Sequence, residues 1–205
     1  MKFPKQKNNA GFSLIEMMAA MVVTLVLLSL VSTMMASVFG TRRRESQRTD
    51  AMTSAKAALN LMSREISNSG YGLTTNGLIA ADSDSHKLRF RSNVENDNSS
   101  TNSANEDVTY YHDTVNETVM RYDPNAVPKT SVVINGVSEA TFEYFDYSGS
   151  SSTPTQKMTP SNNTGKLRIN VTVRLDDVDG QMDDRMISFT SEVTLRNSKY
   201  MLKLY

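Results

Sequence analysis

The sequence predicts an α+β fold, a long N-terminal helix followed by an antiparallel β head. Three observations carry that expectation. An apolar run from Phe12 to Phe39 continues into a polar segment with an apolar stripe. Glycines then punctuate the chain at Gly70 and Gly72, and beyond residue 86 the period of the apolar residues changes from helical to alternating.

The apolar run is well over the roughly 20 residues a helix needs to cross a hydrocarbon core. It is too long for the apolar centre of a secretory signal peptide, about 7–15 residues. Lys2, Lys5 and Lys7 precede it and Arg42, Arg43, Arg44 and Arg48 follow, so flanking charge orients it poorly. A plain single-pass anchor would fit the length and flanks, but Glu16 lies inside the run. An ionisable group there costs about 2.5–3.5 kcal/mol on insertion scales and marks a functional position by default.

From Thr41 to Ser67 the helix is expected to continue. Met52, Ala55, Leu59, Met62 and Ile66 recur at spacings of three and four, one stripe on an otherwise polar surface. Five positions fall short of sustained heptads, so the stripe is assigned to the chain's own sheet rather than to a coiled coil. Gly70-Tyr71-Gly72 supplies the helix stop. Strands are predicted at His86–Arg91, Val108–His112, Thr118–Tyr122, Val132–Ile134 and Val137–Tyr147, the last two joined as a hairpin at Asn135-Gly136. Leu167 to Leu175 and Ile187 to Leu195 alternate and are expected to form a second antiparallel pair. The polar stretches 93–107 and 148–165 lack the apolar surface to offset ordering entropy, and mobile loops are expected there.

The chain has 22 basic and 22 acidic side chains, which gives no global attraction to nucleic acid or acidic lipid. Removing residues 1–11 would take three lysines and no acid, leaving the remainder acidic by three. Cysteine is absent, which excludes disulfides, thiolate catalysis and cysteine-ligated zinc. No phosphate-binding loop, nucleophile elbow or zinc motif is present. His86 and His112 fall on separate predicted strands without ligand spacing and receive no role. Asp176, Asp177, Asp179, Asp183 and Asp184 form an acidic run. Read as a calcium loop with Gly180 as its glycine, it would place Leu175 and Met186 at the first and last ligand positions, where neither can coordinate. A hairpin tip turning at Asp179-Gly180 accounts for the run more simply, so no metal or cofactor is expected. The arginine cluster reads as a juxtamembrane group among lipid headgroups. Without interleaved aromatics it gives no case for nucleic acid.

Gly11-Phe12-Ser13-Leu14-Ile15-Glu16, behind a short lysine-bearing leader, resembles the prepilin cleavage and methylation motif at all six positions. The resemblance implies a type IV pilin-like subunit. Residues 1–11 would be a leader cut off after Gly11 by a membrane aspartyl peptidase, and Phe12 the N-methylated mature terminus. Residues 12–39 would be the transmembrane and filament-core helix, 40–72 its amphipathic continuation and stop, and 73–205 the head. In that family the glutamate, here Glu16, pairs with the N-terminal amine of a neighbouring subunit. Spacing alone equally allows its own Phe12 amine. Implied partners are other minor and major pilins, the prepilin peptidase, the inner-membrane assembly platform and membrane lipid, in a hetero-oligomeric filament or tip complex. The implied location is the bacterial inner membrane with a periplasmic head, then the pilus.

Three further patterns look like PilW-type minor pilins and the related J-type pseudopilins. They are Asn68-Ser69-Gly70-Tyr71-Gly72, then Gly136-Val137 leading into Phe142-Glu143-Tyr144, and Val193-Thr194-Leu195-Arg196-Asn197. No proline lies between Pro4 and Pro124, so a kink of the kind many major pilins carry in this helix would lack its usual cause. No cysteine pair closes the head, as it does in many major pilins, and this departure stands against a major-pilin role. The alternatives are a J-type pseudopilin of type II secretion, and a membrane-anchored receptor or enzyme whose helix stays unprocessed.

Overall fold

The computed structural model describes residues 11–95, 100–147, 153–175 and 185–201. A single helix α1 runs from Leu14 to Ser67, and the chain divides into two compact units, Met1–Ser46 and Gln47–Tyr205. In the first unit every residue from Gly11 to Phe39 is exposed. An apolar surface of this kind is stable only where lipid or other protein covers it.

Among the described residues the second unit holds the rest of α1 and eight strands in two four-stranded antiparallel sheets. The first sheet has the order β1-β2-β3-β4, from Lys87–Arg91, Asp107–Asp113, Thr118–Tyr122 and Thr130–Asn135. The second has the order β6-β5-β7-β8, from Thr155–Lys157, Val137–Asp146, Thr164–Arg174 and Met186–Thr194. Alternation places Leu88, Phe90, Val108, Tyr110 and Val119 inward from the first sheet, and Phe142, Tyr144, Leu167, Ile169 and Val171 inward from the second. Ala55, Ala58, Leu59, Met62 and Ile66 of α1 join both sets in one core. The stripe read from spacing is therefore the packed one. It is displaced slightly: Met52 is only half-buried, and Ala58, whose small side chain suits close packing, is buried instead.

Polar contacts on the flanks of that stripe fix the helix against each sheet. Toward the first sheet, the Tyr110 hydroxyl donates to Glu65 Oε2 at 2.7 Å and Arg121 Nε donates to the same oxygen at 3.0 Å. Toward the second, the Ser63 and Ser191 hydroxyls meet at 3.0 Å. Burial, with the Glu65 charge beside it, pushes the Tyr110 hydroxyl well above the ordinary tyrosine range, so it remains a donor.

The helix stop is built from backbone conformations that glycine permits. Gly70 and Gly77 have φ of +78° and +76°, and a Cβ at Gly77 would come within 2.3 Å of the Arg91 carbonyl oxygen. Their backbones bond to β1, with Gly70 N donating to the Arg91 carbonyl at 2.9 Å and Arg91 N to the Gly77 carbonyl at 2.8 Å. Buried Asn76 reaches the second sheet, its Nδ2 donating to the carbonyls of Ser161 and Thr164 at 2.8 and 3.1 Å. Past β8 the chain returns to cap the helix end. Arg196 N donates to the Ser67 carbonyl at 3.2 Å, and Asn197 Nδ2 to the Ser69 carbonyl at 3.1 Å.

Two expectations are corrected. Asn135-Gly136 does not close a hairpin. Gly136 has the positive φ that such turns use, 68°, but β4 pairs with β3, and β5 passes to the other sheet between β6 and β7. The reason is burial. β4 buries only Ile134, whereas beside β7 the buried Ala140, Phe142 and Tyr144 of β5 lie opposite Val171, Ile169 and Leu167. The polar stretches are also more ordered at their ends than composition suggests. Glu106, fully buried, accepts from Glu95 N at 3.1 Å and Ser103 N at 3.0 Å, and β6 and the buried Thr164 lie within 148–165. Backbone N–H groups supply there the stabilisation that apolar side chains do not. The antiparallel pairing of β7 with β8 is as expected.

Asp107 anchors the outer side of the first sheet, accepting a two-pronged bond from Arg89, both contacts 2.8 Å, and another from Arg91 Nε at 2.9 Å. Burial alone would raise its carboxyl; the bonds and charges of Arg89 and Arg91 outweigh that and hold it below the ordinary aspartate range.

Two measurements on the full chain in detergent check this packing. Ile66→Ala is expected to destabilise the head by about 2–5 kcal/mol in denaturant unfolding, because its side chain is fully buried in the core. For Asp107, the unfolded carboxyl binds its proton first as pH falls, so its stabilisation is present at neutral pH and lost below about pH 4. Asp107→Asn is expected to be less stable at pH 7 and to lose less stability on acidification than the wild type.

Candidate functional site

The candidate site is the exposed start of α1. Ser13 stands just before the helix, and its carbonyl accepts from Glu16 N at 3.0 Å and Met17 N at 3.1 Å. Glu16 lies in the first turn, and its Oε2 accepts from Ser13 N at 3.4 Å. Ser13-Leu14-Ile15-Glu16 thus has the sequence of a capping box, with the glutamate reaching back to the backbone N–H of the capping residue. The spacing of a serine and a glutamate three residues apart is the signal for this second role, which the motif reading passed over. A carboxylate here also meets the positive end of the helix dipole.

Gly11 is exposed and has no atom near the place a Cβ would occupy, and Phe12 is 84% exposed. Both residues are thus exposed just before the helix start. Lys2, Lys5 and Lys7 lie outside the described residues.

Along the apolar segment four hydroxyls bond to carbonyls of the helix itself. Thr24 donates to the Ala20 carbonyl at 2.7 Å, Ser32 to Leu28 at 2.8 Å, and Thr33 to Leu30 at 2.8 Å. Ser29 and Thr41 do the same to Val26 and Ser37. These bonds remove the cost of carrying hydroxyls into an apolar medium. Glu16 is then the one ionisable side chain between Phe12 and Phe39. Among the described residues α1 alone is long and apolar enough to cross a membrane. Arg42, Arg43 and Arg48 are exposed beyond its apolar part.

In the head, the two histidines set apart by sequence are cross-strand neighbours. His112 N donates to the His86 carbonyl at 3.1 Å. His112 Nε2 lies 3.0 Å from the Val137 carbonyl, so that nitrogen carries the proton, while His86 Nδ1 meets the Ser85 hydroxyl at 2.9 Å. Among the described residues no group of three or more histidines and acids is placed to hold a metal. Asp176, Asp177, Asp179, Asp183 and Asp184 lie outside the described residues, so the calcium question does not meet the structure.

Residues 6–32 match the family described as the prokaryotic N-terminal methylation motif. No curated protein and no solved structure matches the chain. The matched segment ends inside the apolar part of α1, and the helix continues into the stretch that packs on the head. The chain thus joins the N-terminal methylation motif typical of type IV pilin-like proteins to a membrane-competent helix and an antiparallel β head, a pilin-like α+β fold.

Proposed function

We propose that the chain is a minor type IV pilin of the PilW type, made as a precursor and built into the filament near its tip or at its initiation. One observation carries the reading: the methylation motif sits at the start of a helix that is exposed from residue 11 to 39. Prepilin peptidase would cut after Gly11 and methylate Phe12. The helix would first rest in the inner membrane with the head in the periplasm, then leave it for a bundle of other pilins, guided by the assembly platform. Both settings cover the same apolar surface, which makes the transfer between them energetically feasible.

Glu16 would direct the transfer. Among the described residues the bond its carboxylate accepts is the weak one from Ser13 N, and an uncompensated buried charge in a bilayer would cost several kcal/mol. The cationic terminus of a neighbouring subunit would relieve that cost and set the stagger between helices. The head would select partners and carry no catalysis. The order of the PilW-type patterns supports this assignment, and two of them meet in space, where Arg196 and Asn197 cap the helix end at Ser67 and Ser69.

Intact mass and N-terminal sequencing of the protein from its native membrane test the processing. The expected product begins at Phe12 and carries one added methyl group. Retention of residues 1–11 would make the helix a plain anchor and overturn the reading. Co-purification with secretion rather than pilus components would instead assign a J-type pseudopilin.

Glu16 has two separable roles, and two variants divide them. Glu16→Ala removes charge and cap, while Glu16→Gln keeps an acceptor for Ser13 N but no charge. Both are expected to be cleaved normally and to enter filaments at least tenfold less than wild type, measured by immunoblotting sheared filaments. Normal incorporation of Glu16→Gln would leave only the helix-start role.

A further inference from the structure

The outer face of the first sheet, turned away from the core, is hollowed. Lys87 and Arg89 on β1 lie opposite Tyr111 and Thr109 on β2, and Thr109 lies opposite Tyr122 on β3. These side chains share one face of the pleat. On a flat solvent face Thr109 would be open, yet it is only 6% exposed. The 3-10 turn Ala80–Asp82 flanks it on one side, its Asp82 bound to Arg89, and Pro124 follows Tyr122 on the other. Between them lies an open hollow of about 650 Å³. That is within the roughly 300–1,000 Å³ of small-molecule sites.

Its chemistry narrows the ligand. Arg89 is held rigid by its fork on Asp107 and its bond to Asp82, so its positive charge is already compensated. The lining carries two acidic side chains, Asp82 and Asp84, beside two basic ones, Lys87 and Arg89, so neither sign of charge predominates to select an anion or a cation. Tyr111 and Tyr122 add flat rings with polar tips, and Tyr122 is 38% exposed. His112 also lines the hollow, its Nε2 turned to the Val137 carbonyl. Apolar rings beside oriented, charge-balanced donors and acceptors suit a ligand with C–H faces and a rim of hydroxyls.

We infer that this hollow binds a neutral oligosaccharide, with sugar rings laid on Tyr111 and Tyr122 and hydroxyls bonded to Asp82 and Arg89. The inference stands on the head alone and does not depend on processing or on the identity of the filament. It gives the head a ligand of its own, separate from the subunits that would cover the helix.

Saturation-transfer NMR of the full chain tests it, in a phosphocholine detergent so that no sugar headgroup competes. The probes are maltotriose, chitotriose and inorganic phosphate. The expected result is transfer to at least one trisaccharide, strongest at its ring C–H protons. Tyr122→Ala and Asp82→Asn should each weaken that affinity at least tenfold, and Tyr71→Ala, an exposed tyrosine outside the hollow, should not. Asp82→Asn keeps the side chain's size and reads the site even if the tyrosine variant folds poorly. Absence of transfer to both sugars, binding unchanged in Asp82→Asn, equal loss in Tyr71→Ala, or phosphate binding in place of sugar would each overturn the inference.

Discussion

The head depends on how α1 is stopped. A helix of this length presents a run of unsatisfied carbonyls at its end, and here that end adjoins the core. Arg196 and Asn197 satisfy them from the far end of the chain, while Gly70 and Gly77 bond to β1 and Asn76 reaches the loop and strand start at Ser161 and Thr164. One short segment therefore ties the helix to both sheets and to the C-terminal return. Moving the stop by one residue would rotate Met62 and Ile66 off the core by about 100°. The glycines at 70 and 77 are needed because the backbones approach too closely for any side chain.

A second constraint is that α1 meets two environments in one sequence. From Phe12 to Phe39 its outer surface is apolar throughout, and every hydroxyl bond described there is made to the helix itself. From Gln47 to Ser67 only one stripe is apolar, and its flanks carry Glu65 and Ser63, each bound to a different sheet. The stretch that needs cover from outside and the stretch covered by its own chain are thus distinguished by the width of the apolar face. Glu16 is the exception inside the first stretch, an ionisable side chain that accepts a long bond from Ser13 N at 3.4 Å.

Charge in the head is handled by pairing rather than by exposure. Asp107 with Arg89 and Arg91, and Glu65 with Arg121, are ion pairs reinforced by hydrogen bonds. They hold the two faces of the first sheet in different ways. Glu65 and Arg121 pin the inner side to the helix, and Asp107 fixes Arg89 on the outer side as the wall of the hollow. That wall of the hollow is consequently held in place by three hydrogen bonds.

The amino-acid sequence by itself determined the elements whose signal is local. The apolar length of residues 12–39, the methylation motif, the stripe at Ala55, Leu59, Met62 and Ile66, and the alternation of β7 and β8 each follow from periodicity or spacing within one segment. Even the capping box at Ser13 and Glu16 was legible in principle, from a serine and a glutamate three residues apart. Tertiary structure alone decided what depends on distant partners. Asn135-Gly136 has the residues of a hairpin, yet β5 crossed to β7 because the larger apolar face lay there. His86 and His112 became neighbours only through strand register, and the hollow over Thr109 exists because a turn and a loop, remote in sequence, rise on either side of it. Burial and cross-strand pairing are sums over the whole chain, and no local window of sequence contains them.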